Sequence, residues 1–241
     1  MIFTSSRRTT DMQIAQNSEK SQALLNQYRE NLEKSQALLN QYRENLEKSR
    51  PLLQKYYFSL HESAINAVEG WLPLDEAELL FTKARSLPDD AVIVEVGSYK
   101  GRSTVAMGYA CRGTNRHVYS VDLWNPYPIQ DWRQNVEKNG LLEYVTPLQG
   151  NSHDVLSQWN QLTGGKVIDL IFIDASHEYA DVLLDFELSF PLVKPGGWIA
   201  FHDVGDSESS GPGRVWREKA KPLLLNCDQV GCLAFGQKPV L

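Results

Sequence analysis

The stretch Val92–Val105 reads VIVEVGSYKGRSTV and decides the fold of this chain. Its first five residues form an apolar run interrupted only by Glu95, which is typical of a parallel strand buried on both faces. Gly97 and Gly101 follow the run, and a Ser-Thr pair then opens a helical stretch. Because Gly97 carries no Cβ, the backbone can turn there and approach a ligand. The stretch therefore predicts a strand, a glycine loop and a helix.

Similar units follow along the chain. From Gly70 onward, Val- and Ile-rich runs alternate with helical stretches, and a last apolar run closes the chain. Strands that alternate with helices predict a parallel sheet with crossover connections. The predicted fold is a doubly wound α/β sandwich over residues 70–241. Its strand-forming runs are Ala91–Val96, His117–Asp122, Asp169–Asp174, Trp198–His202 and Val230–Phe235.

Composition excludes several classes of protein. The 241 residues carry a net charge of −6, and residues 1–60 hold nine basic and six acidic side chains, so the remainder carries −9. This acidic balance disfavours a general nucleic-acid binder. No run of about 18 apolar residues is present, so we expect no membrane span. Three cysteines without C-x-x-C spacing favour the reducing cytoplasm.

A repeat precedes the sheet. Glu19–Leu32 reads EKSQALLNQYRENL, and Glu33–Leu46 repeats it letter for letter. Fourteen residues are two heptads, so the repeat predicts a coiled coil about 50 Å long that joins copies of the chain into a homo-oligomer. The alternative is a lone amphipathic helix lying on its own domain. Pro51 predicts a kink or a fresh helix start.

These boundaries give four segments. Residues 1–16 are expected to be disordered, 17–50 to form the coiled-coil arm, 51–69 a connecting helix, and 70–241 the α/β domain.

Two carboxylates near the glycine loop suit a cationic cofactor. Asp122 closes the second strand, where a carboxylate accepts hydrogen bonds from ribose hydroxyls. Glu95 is an acceptor where a ligand's ammonium group would lie. A dinucleotide site requires G-x-G-x-x-G, but Tyr99 stands where its second glycine would be. The pattern therefore favours S-adenosylmethionine (SAM) over a nicotinamide cofactor; the alternative is a structural turn beside an exposed Asp.

Five ordered blocks resemble class I SAM-dependent methyltransferases, most closely the methyltransferase-24 group. They read EVGSYKGRSTVAMG, YSVDLW, LQGNSHDVL, DLIFIDASHEYADVLLDFELSFPLVKPGGWIAFHDV and GPGRVWRE. The resemblance implies a Rossmann-like seven-stranded sheet of order 3-2-1-4-5-7-6 with strand 7 antiparallel. It also implies methyl transfer from SAM, with Ser152 near the adenine. The implied cofactor-binding residues are Glu95, Gly97, Ser98, Tyr99, Gly101, Ser103, Asp122, Leu123, Ser152 and Asp174.

Candidates for catalysis lie after strands four and five. Asp174 follows the fourth strand, His177 comes three residues later, and His202 and Asp203 end the fifth. Adjacent parallel strands bring these ends together, within reach of a shared ion. The pattern is similar to metal-dependent catechol and macrolide-sugar O-methyltransferases, which implies His177 as base and Asp174, His202 and Asp203 as ligands of magnesium or another divalent metal. His202 departs from that family, where an oxygen ligand is usual.

Each candidate also has a structural alternative. His177 could bond to its own turn, Asp174 could cap the following helix, and Asp203 could make structural hydrogen bonds. Trp124, Tyr127 and Trp132 could line an acceptor pocket or belong to the core.

The predicted function is transfer of a methyl group from SAM to a hydroxyl of a small-molecule acceptor, such as a sugar or glycan. The alternative is a non-catalytic coiled-coil interaction protein whose second domain binds SAM.

Overall fold

The computed structural model describes residues 3–205 and 210–240, with side chains from Lys20 onward. The chain divides into two compact units, Met1–Leu53 and Gln54–Leu241. The helices are α1 Phe3–Ser59, α2 Glu62–Asn66, α3 Leu74–Ser86, α4 Arg102–Cys111, α5 Ile129–Lys138, α6 Ser152–Ser157, α7 Trp159–Thr163, α8 Tyr179–Ser189 and α9 Gly211–Val215. The strands are β1 Val92–Val96, β2 His117–Asp122, β3 Val145–Gln149, β4 Ile168–Ile173, β5 Val193–Phe201, β6 Leu225–Val230 and β7 Leu233–Gln237.

The first unit consists of the N-terminal part of α1. The backbone of residues 3–16 is helical rather than disordered as predicted, while Met1 and Ile2 lie outside the described residues. The helix also runs through Pro51 to Ser59, so no fresh helix starts at that proline. Proline in a helix interior costs about 3 kcal/mol, because it lacks an N–H donor and its ring clashes with the preceding turn.

The heptad seam of α1 is exposed to solvent in the single chain. Its leucines are Leu25, Leu32, Leu39, Leu46 and Leu53, and each is about half exposed or more. Ser35 and Ser49 lie on the same face of the helix, three residues after Leu32 and Leu46, and donate to the carbonyl oxygens of Asn31 and Asn45, each at 2.8 Å. These two hydroxyls thus bond within their own helix, and the stripe of leucines remains exposed to solvent.

The second unit holds a seven-stranded sheet of order β3-β2-β1-β4-β5-β7-β6. Strands β1 to β5 pair in parallel, and β7 runs antiparallel to both β5 and β6. This order and the antiparallel seventh strand confirm the predicted fold class.

Two apolar clusters cover the opposite faces of this sheet. Ile93 belongs to one cluster, and its neighbours Val92 and Val94 belong to the other, because successive strand residues point to opposite faces. All five residues of β1 are buried, which explains the nearly continuous apolar run in the sequence.

Two predicted runs differ from the observed strands. Strand β5 begins at Val193 rather than at Trp198, because Val193 also pairs with Ile168 of β4. The pairing of the two strands shifts register between Val193 and Trp198, where Gly196 has a φ of 78°. The run Val230–Phe235 contains the turn between β6 and β7. Neither feature follows from an apolar pattern alone.

None of the helices in the described ranges is both long and apolar enough to cross a membrane.

The register of the parallel strands brings four strand ends to one edge. Val96 pairs with Val121 and with Ile173, which in turn pairs with Phe201. The residues that follow these strands therefore meet at the carboxyl edge, where ligands bind in open α/β sheets.

Candidate functional site

The loop after β1 is shaped by its two glycines. Gly97 has a φ of 90°, and a Cβ on it would overlap the carbonyl oxygen of Asp174, so the loop lies directly against the end of β4. Gly101, with a φ of 89°, precedes α4, and a Cβ there would come within 2.9 Å of the Trp132 ring. Both positions require glycine because of conformation and close contact.

Asp122 fastens this loop to the end of β2. Its Oδ2 accepts hydrogen bonds from the backbone N–H groups of Ser98 and Tyr99, both at 2.8 Å. Its Oδ1 accepts one from the Trp124 N–H at 2.6 Å. Tyr99 and Trp124 each have a φ of 46°, a conformation that is uncommon for such residues and that occurs preferentially at binding sites.

Glu95 lies beneath the loop and is fully buried. Its Oε2 accepts hydrogen bonds from the hydroxyls of Ser98 and Ser120 at 2.8 Å and of Thr104 at 2.5 Å. Burial raises the pKa of this carboxyl, and the hydroxyl hydrogen bonds oppose the rise only in part. Within the described ranges, Oε1 has no hydrogen-bond partner.

A cavity of about 900 Å³ opens at this edge of the sheet. It lies near the upper end of the range of about 300–1,000 Å³ that is usual for ligand pockets. Of the predicted site residues, those bordering it are Gly97, Ser98, Tyr99, Ser103, Asp122, Leu123, Ser152, Asp174, His177, His202 and Asp203. Glu95 and Gly101 support the loop from below and are not among the described residues that line the cavity.

His202 is the centre of a cluster of three carboxylates. Its Nε2 lies 2.7 Å from Glu76 Oε2, and its Nδ1 lies 3.2 Å from both Asp174 Oδ1 and Asp203 Oδ1. Burial lowers the pKa of His202, but the hydrogen bonds and charges of Asp174 and Asp203 outweigh it and raise the pKa to about 11. Without a metal, the ring is therefore an imidazolium that donates from both nitrogens.

His177 lies at the open side of this cluster. Its Nε2 is 2.8 Å from Asp203 Oδ2, and its side chain is 67% exposed. The ring therefore contacts the carboxylate after β5, in contrast to the alternative that it bonds to its own turn.

Asp174 does not take the alternative role of a helix cap either. Helix α8 is preceded by Glu178 without a side-chain cap, and Ser176 Oγ accepts from the Glu178 N–H at 3.1 Å. Burial raises the pKa of Asp174, while the hydrogen bond from His202 works against this shift.

Of the three aromatic residues that could line an acceptor pocket or belong to the core, the two tryptophans belong mainly to the core. Trp132 is 1% exposed and donates from Nε1 to Thr104 Oγ1 at 3.0 Å, so its acceptor-lining role is wrong. Trp124 is 5% exposed, borders the cavity, and donates from Nε1 to the Tyr99 carbonyl oxygen at 2.9 Å. Tyr127 borders the cavity and is 45% exposed.

Sequence reasoning missed three residues that border the cavity. Glu76, buried in the first turn of α3, bonds to His202 and also accepts from the Cys232 N–H at 2.6 Å. Asp185 of α8 is 1% exposed, lies 3.4 Å from His153 Nε2, and has its pKa raised by burial. Trp71 precedes α3 and is 76% exposed. The sequence carries no local signal for the two carboxylates, because both sit in ordinary amphipathic helices.

Known proteins share this architecture. The solved structure of an O-methyltransferase from Bacillus cereus in complex with S-adenosylhomocysteine aligns with a TM-score of 0.56 at 19% identity, over 77% of this chain and 90% of that one. The O-methyltransferase TomG from Streptomyces achromogenes, solved with SAM, aligns with a TM-score of 0.57 at 16% identity, over 78% and 89%. At these identities the likeness establishes the fold.

Two sequence matches extend the comparison. An uncharacterised protein of Acanthamoeba polyphaga mimivirus is 30% identical over 125 residues, which are 49% of this chain and 53% of that protein. The chain thus matches about half the length of this curated relative. Residues 94–204 match the methyltransferase-24 family model, whose description is a methyltransferase domain. The resemblance seen in the five sequence blocks is therefore confirmed: residues 94–204 match the model of that family, and the observed strand order is the one that the resemblance implied.

Proposed function

We propose that this protein transfers a methyl group from SAM to a hydroxyl of a small-molecule acceptor. The observation that carries the proposal is the His177–Asp203 pair, which lines the same cavity as the Asp122 loop. One end of the cavity thus suits a cofactor with a ribose, and the other holds a group able to take a proton. The solved relatives from Bacillus cereus and Streptomyces achromogenes are O-methyltransferases with cofactor bound, which supports the same chemistry here.

The residues around the cavity fit SAM chemically. Asp122 uses its oxygens to hold the loop, and Oδ1, which accepts only the Trp124 N–H, keeps a lone pair for a ribose hydroxyl. Gly97 lets the loop lie against the end of β4, and Leu123, which is 53% exposed, offers an apolar surface for the adenine of the cofactor. Ser98, Tyr99, Ser103 and Ser152 border the same space. For Glu95 and Gly101 we now propose support of the loop instead of direct contact with the cofactor.

His177 serves as the general base in this proposal. Its contact with Asp203 fixes the ring with the Nε2 proton toward the carboxylate, which leaves Nδ1 to accept the proton of the acceptor hydroxyl. Asp203 then stabilises the imidazolium that forms. Transfer from a sulfonium is an in-line displacement, so the remaining task of the protein is to align the two reactants.

The cluster around His202 also fits a divalent metal. The Asp174, His202 and Asp203 ligand atoms lie within 4.8 Å of one another, and the second ring nitrogen of His202 faces Glu76. A carboxylate on the far nitrogen is usual for a metal-ligating histidine. We propose that these three residues hold a divalent ion, and the nitrogen ligand favours a borderline ion over magnesium. When bound, such an ion would lower the pKa of the acceptor hydroxyl.

Two further parts of the proposal concern partners. The exposed leucine seam of α1 supports assembly of several copies through a coiled coil. A sugar or glycan remains the proposed acceptor, and the cytoplasm the proposed location.

The exposed leucine seam of α1 also favours a second candidate function, that of an interaction protein whose methyltransferase domain only binds SAM.

Calorimetry with the full chain tests the cofactor assignment. We expect SAM and S-adenosylhomocysteine to bind the same single site in competition, and NAD not to bind. Absence of binding by both sulfur compounds would refute the methyltransferase proposal. Binding without label transfer to any small molecule would instead favour the interaction protein.

Replacing His177 by Ala tests the base. We expect turnover to fall about 100-fold or more, because general base catalysis contributes about that much, while SAM binding is retained. His117→Ala is the matched control, because its ring bonds to Thr146 outside the cavity. Unchanged turnover of the His177 variant would exclude the base role.

Metal removal tests the ligand set. We expect EDTA to abolish transfer and manganese to restore it better than magnesium, while Asp203→Asn weakens manganese binding measured by calorimetry. Full activity in EDTA would remove the ion from the mechanism.

A further inference from the structure

The loop between β4 and α8 packs against the first turn of α9. We call residues 174–178, which include His177, the His177 loop. A Cβ on Gly211 would overlap the His177 carbonyl oxygen and would lie 2.7 Å from the Tyr179 backbone nitrogen. The φ of Gly211 lies outside the left-handed region, so this contact, and not the backbone conformation, requires glycine there. No side chain separates the two backbones at this point, and α9 therefore limits where the His177 loop can lie.

Ser210 joins the same turn to the other member of the His177–Asp203 pair. As the N-cap of α9, its Oγ accepts a hydrogen bond from the Gly213 N–H at 3.2 Å. The same hydroxyl donates to the Asp203 carbonyl oxygen at 3.3 Å. The first turn of α9 therefore contacts the backbone of both residues whose side chains form the pair.

Three side chains fasten the start of α8 to α9 and to the residues that follow it. The Arg214 guanidinium carbon lies 4.4 Å from the centre of the Tyr179 ring, and Tyr179 Oη donates to Glu218 Oε2 at 3.3 Å. Arg214 Nε donates to Glu218 Oε1, also at 3.3 Å, which closes the set of contacts. We call Tyr179, Arg214 and Glu218 the clamp. Because the Arg214 and Glu218 side chains are 44% and 47% exposed, their ion pair contributes little to folding stability.

His177 depends on such support because its own ring is poorly packed. The side chain is 67% exposed, and its Nε2 contacts Asp203 Oδ2 at 2.8 Å. The position of the ring therefore follows from the backbone that carries it and from Asp203. A general base must lie within hydrogen-bond reach of the proton that it takes, and a displacement of about 1 Å can lower the rate about 100-fold.

We propose that Ser210, Gly211 and the clamp are positioning residues, which hold the backbone of His177 so that its ring reaches the acceptor hydroxyl. They act through His177, because none of these five is among the described residues that border the cavity. The inference rests on the proposed role of His177 as the general base, and it extends that role to a part of the chain about 30 to 40 residues further on.

A double-mutant cycle tests whether Gly211 acts through His177. The rate measured is label transfer from methyl-labelled SAM to a small-molecule extract, with the full chain and saturating SAM. We expect Gly211→Ala to lower this rate about tenfold or more, with SAM binding unchanged in calorimetry. In the His177→Ala background the same change should cost nothing further, because no base is left to misplace. An equal loss in both backgrounds indicates a general structural effect and overturns the inference.

Gly236→Ala is the matched control for crowding at a buried glycine. Its Cβ would lie 2.8 Å from Leu224 Cβ, and its φ also lies outside the left-handed region. Gly236 lies on β7 and is not among the described residues that border the cavity. The transfer rate of the folded Gly236→Ala variant should therefore equal that of the unaltered protein, whereas an unchanged rate in folded Gly211→Ala overturns the inference.

Arg214→Gln tests the clamp at a half-exposed position and decides the matter if Gly211→Ala does not fold. We expect the rate to fall about threefold, as the loss of one exposed ion pair allows, and only where His177 is present. Arg214→Lys keeps the positive charge over the Tyr179 ring and should restore part of the loss. Equal rates of Arg214→Gln and the unaltered protein overturn the inference. Full turnover of His177→Ala would refute the base role on which it rests, and no label transfer with SAM bound would contradict the proposed methyl transfer.

Discussion

At the scale of single residues, Glu95 combines a buried charge with a structural role. One of its oxygens gathers three hydroxyl donors from the loop, the following helix and β2, while the other lacks a partner among the described residues. A buried ionised carboxyl is costly unless it is fully hydrogen-bonded. Glu95 therefore holds the loop in place, but its buried charge lowers the folding stability of the protein near neutral pH.

Replacing Glu95 by Gln should reveal that cost. The amide oxygen can keep the three hydroxyl bonds, and no charge remains buried. Because burial raises the pKa of Glu95 above its ordinary value of 4.5, the contribution of Glu95 to stability is lost as pH rises from that value through the folded-state pKa. We expect the stability of Glu95→Gln relative to the unaltered protein to increase from pH 4 to pH 7, measured by urea unfolding. A relative stability that does not change with pH would contradict this.

At the scale of an element, the turn between β1 and α4 depends on contact with a strand distant in sequence. The sequence predicted the turn itself, since Gly97 and Gly101 follow an apolar run. That Gly97 lies against the Asp174 carbonyl oxygen could not be predicted, because the two residues are distant in sequence and meet only in the sheet.

Comparison of two glycine variants separates conformation from contact. Gly97→Ala and Gly164→Ala both place a Cβ at positive φ, but only the former meets another atom within 4 Å. We expect Gly164→Ala to cost about 1 kcal/mol, as left-handed backbone does. Gly97→Ala should cost about 3 kcal/mol or more and should also abolish SAM binding, as urea unfolding and calorimetry would show. Equal costs would mean that the contact with β4 is unimportant.

At the scale of the whole molecule, the leucine seam of α1 is an apolar surface without cover in the single chain. Fourteen-residue repeats keep Leu25, Leu32 and Leu39 in phase, and all three are exposed in the single chain. Exposed apolar stripes of this kind usually mark an interface with another chain.

Charged substitutions on α1 test the proposed assembly. Asp in place of both Leu32 and Leu39 should lower the oligomer to a monomer in light scattering, because a charge in a coiled-coil seam loses its hydration. Ala37→Asp, outside the seam, should leave the mass unchanged. If the seam variant keeps the mass of the unaltered protein, the repeat does not drive assembly.

The sequence by itself determined the local features: the buried strand of Val92–Val96 and its glycine turn, the acid that closes β2, and the heptad repeat of α1. Each depends on a period or on residue types a few positions apart, and the family resemblance added the strand order. The tertiary structure decided which side chains meet. Glu76 reaches His202 across 126 positions of the chain, and Trp71 meets Tyr99 across the mouth of the cavity. No periodic pattern in the sequence predicts such pairs, because their contact arises only when the sheet and its covering helices pack together.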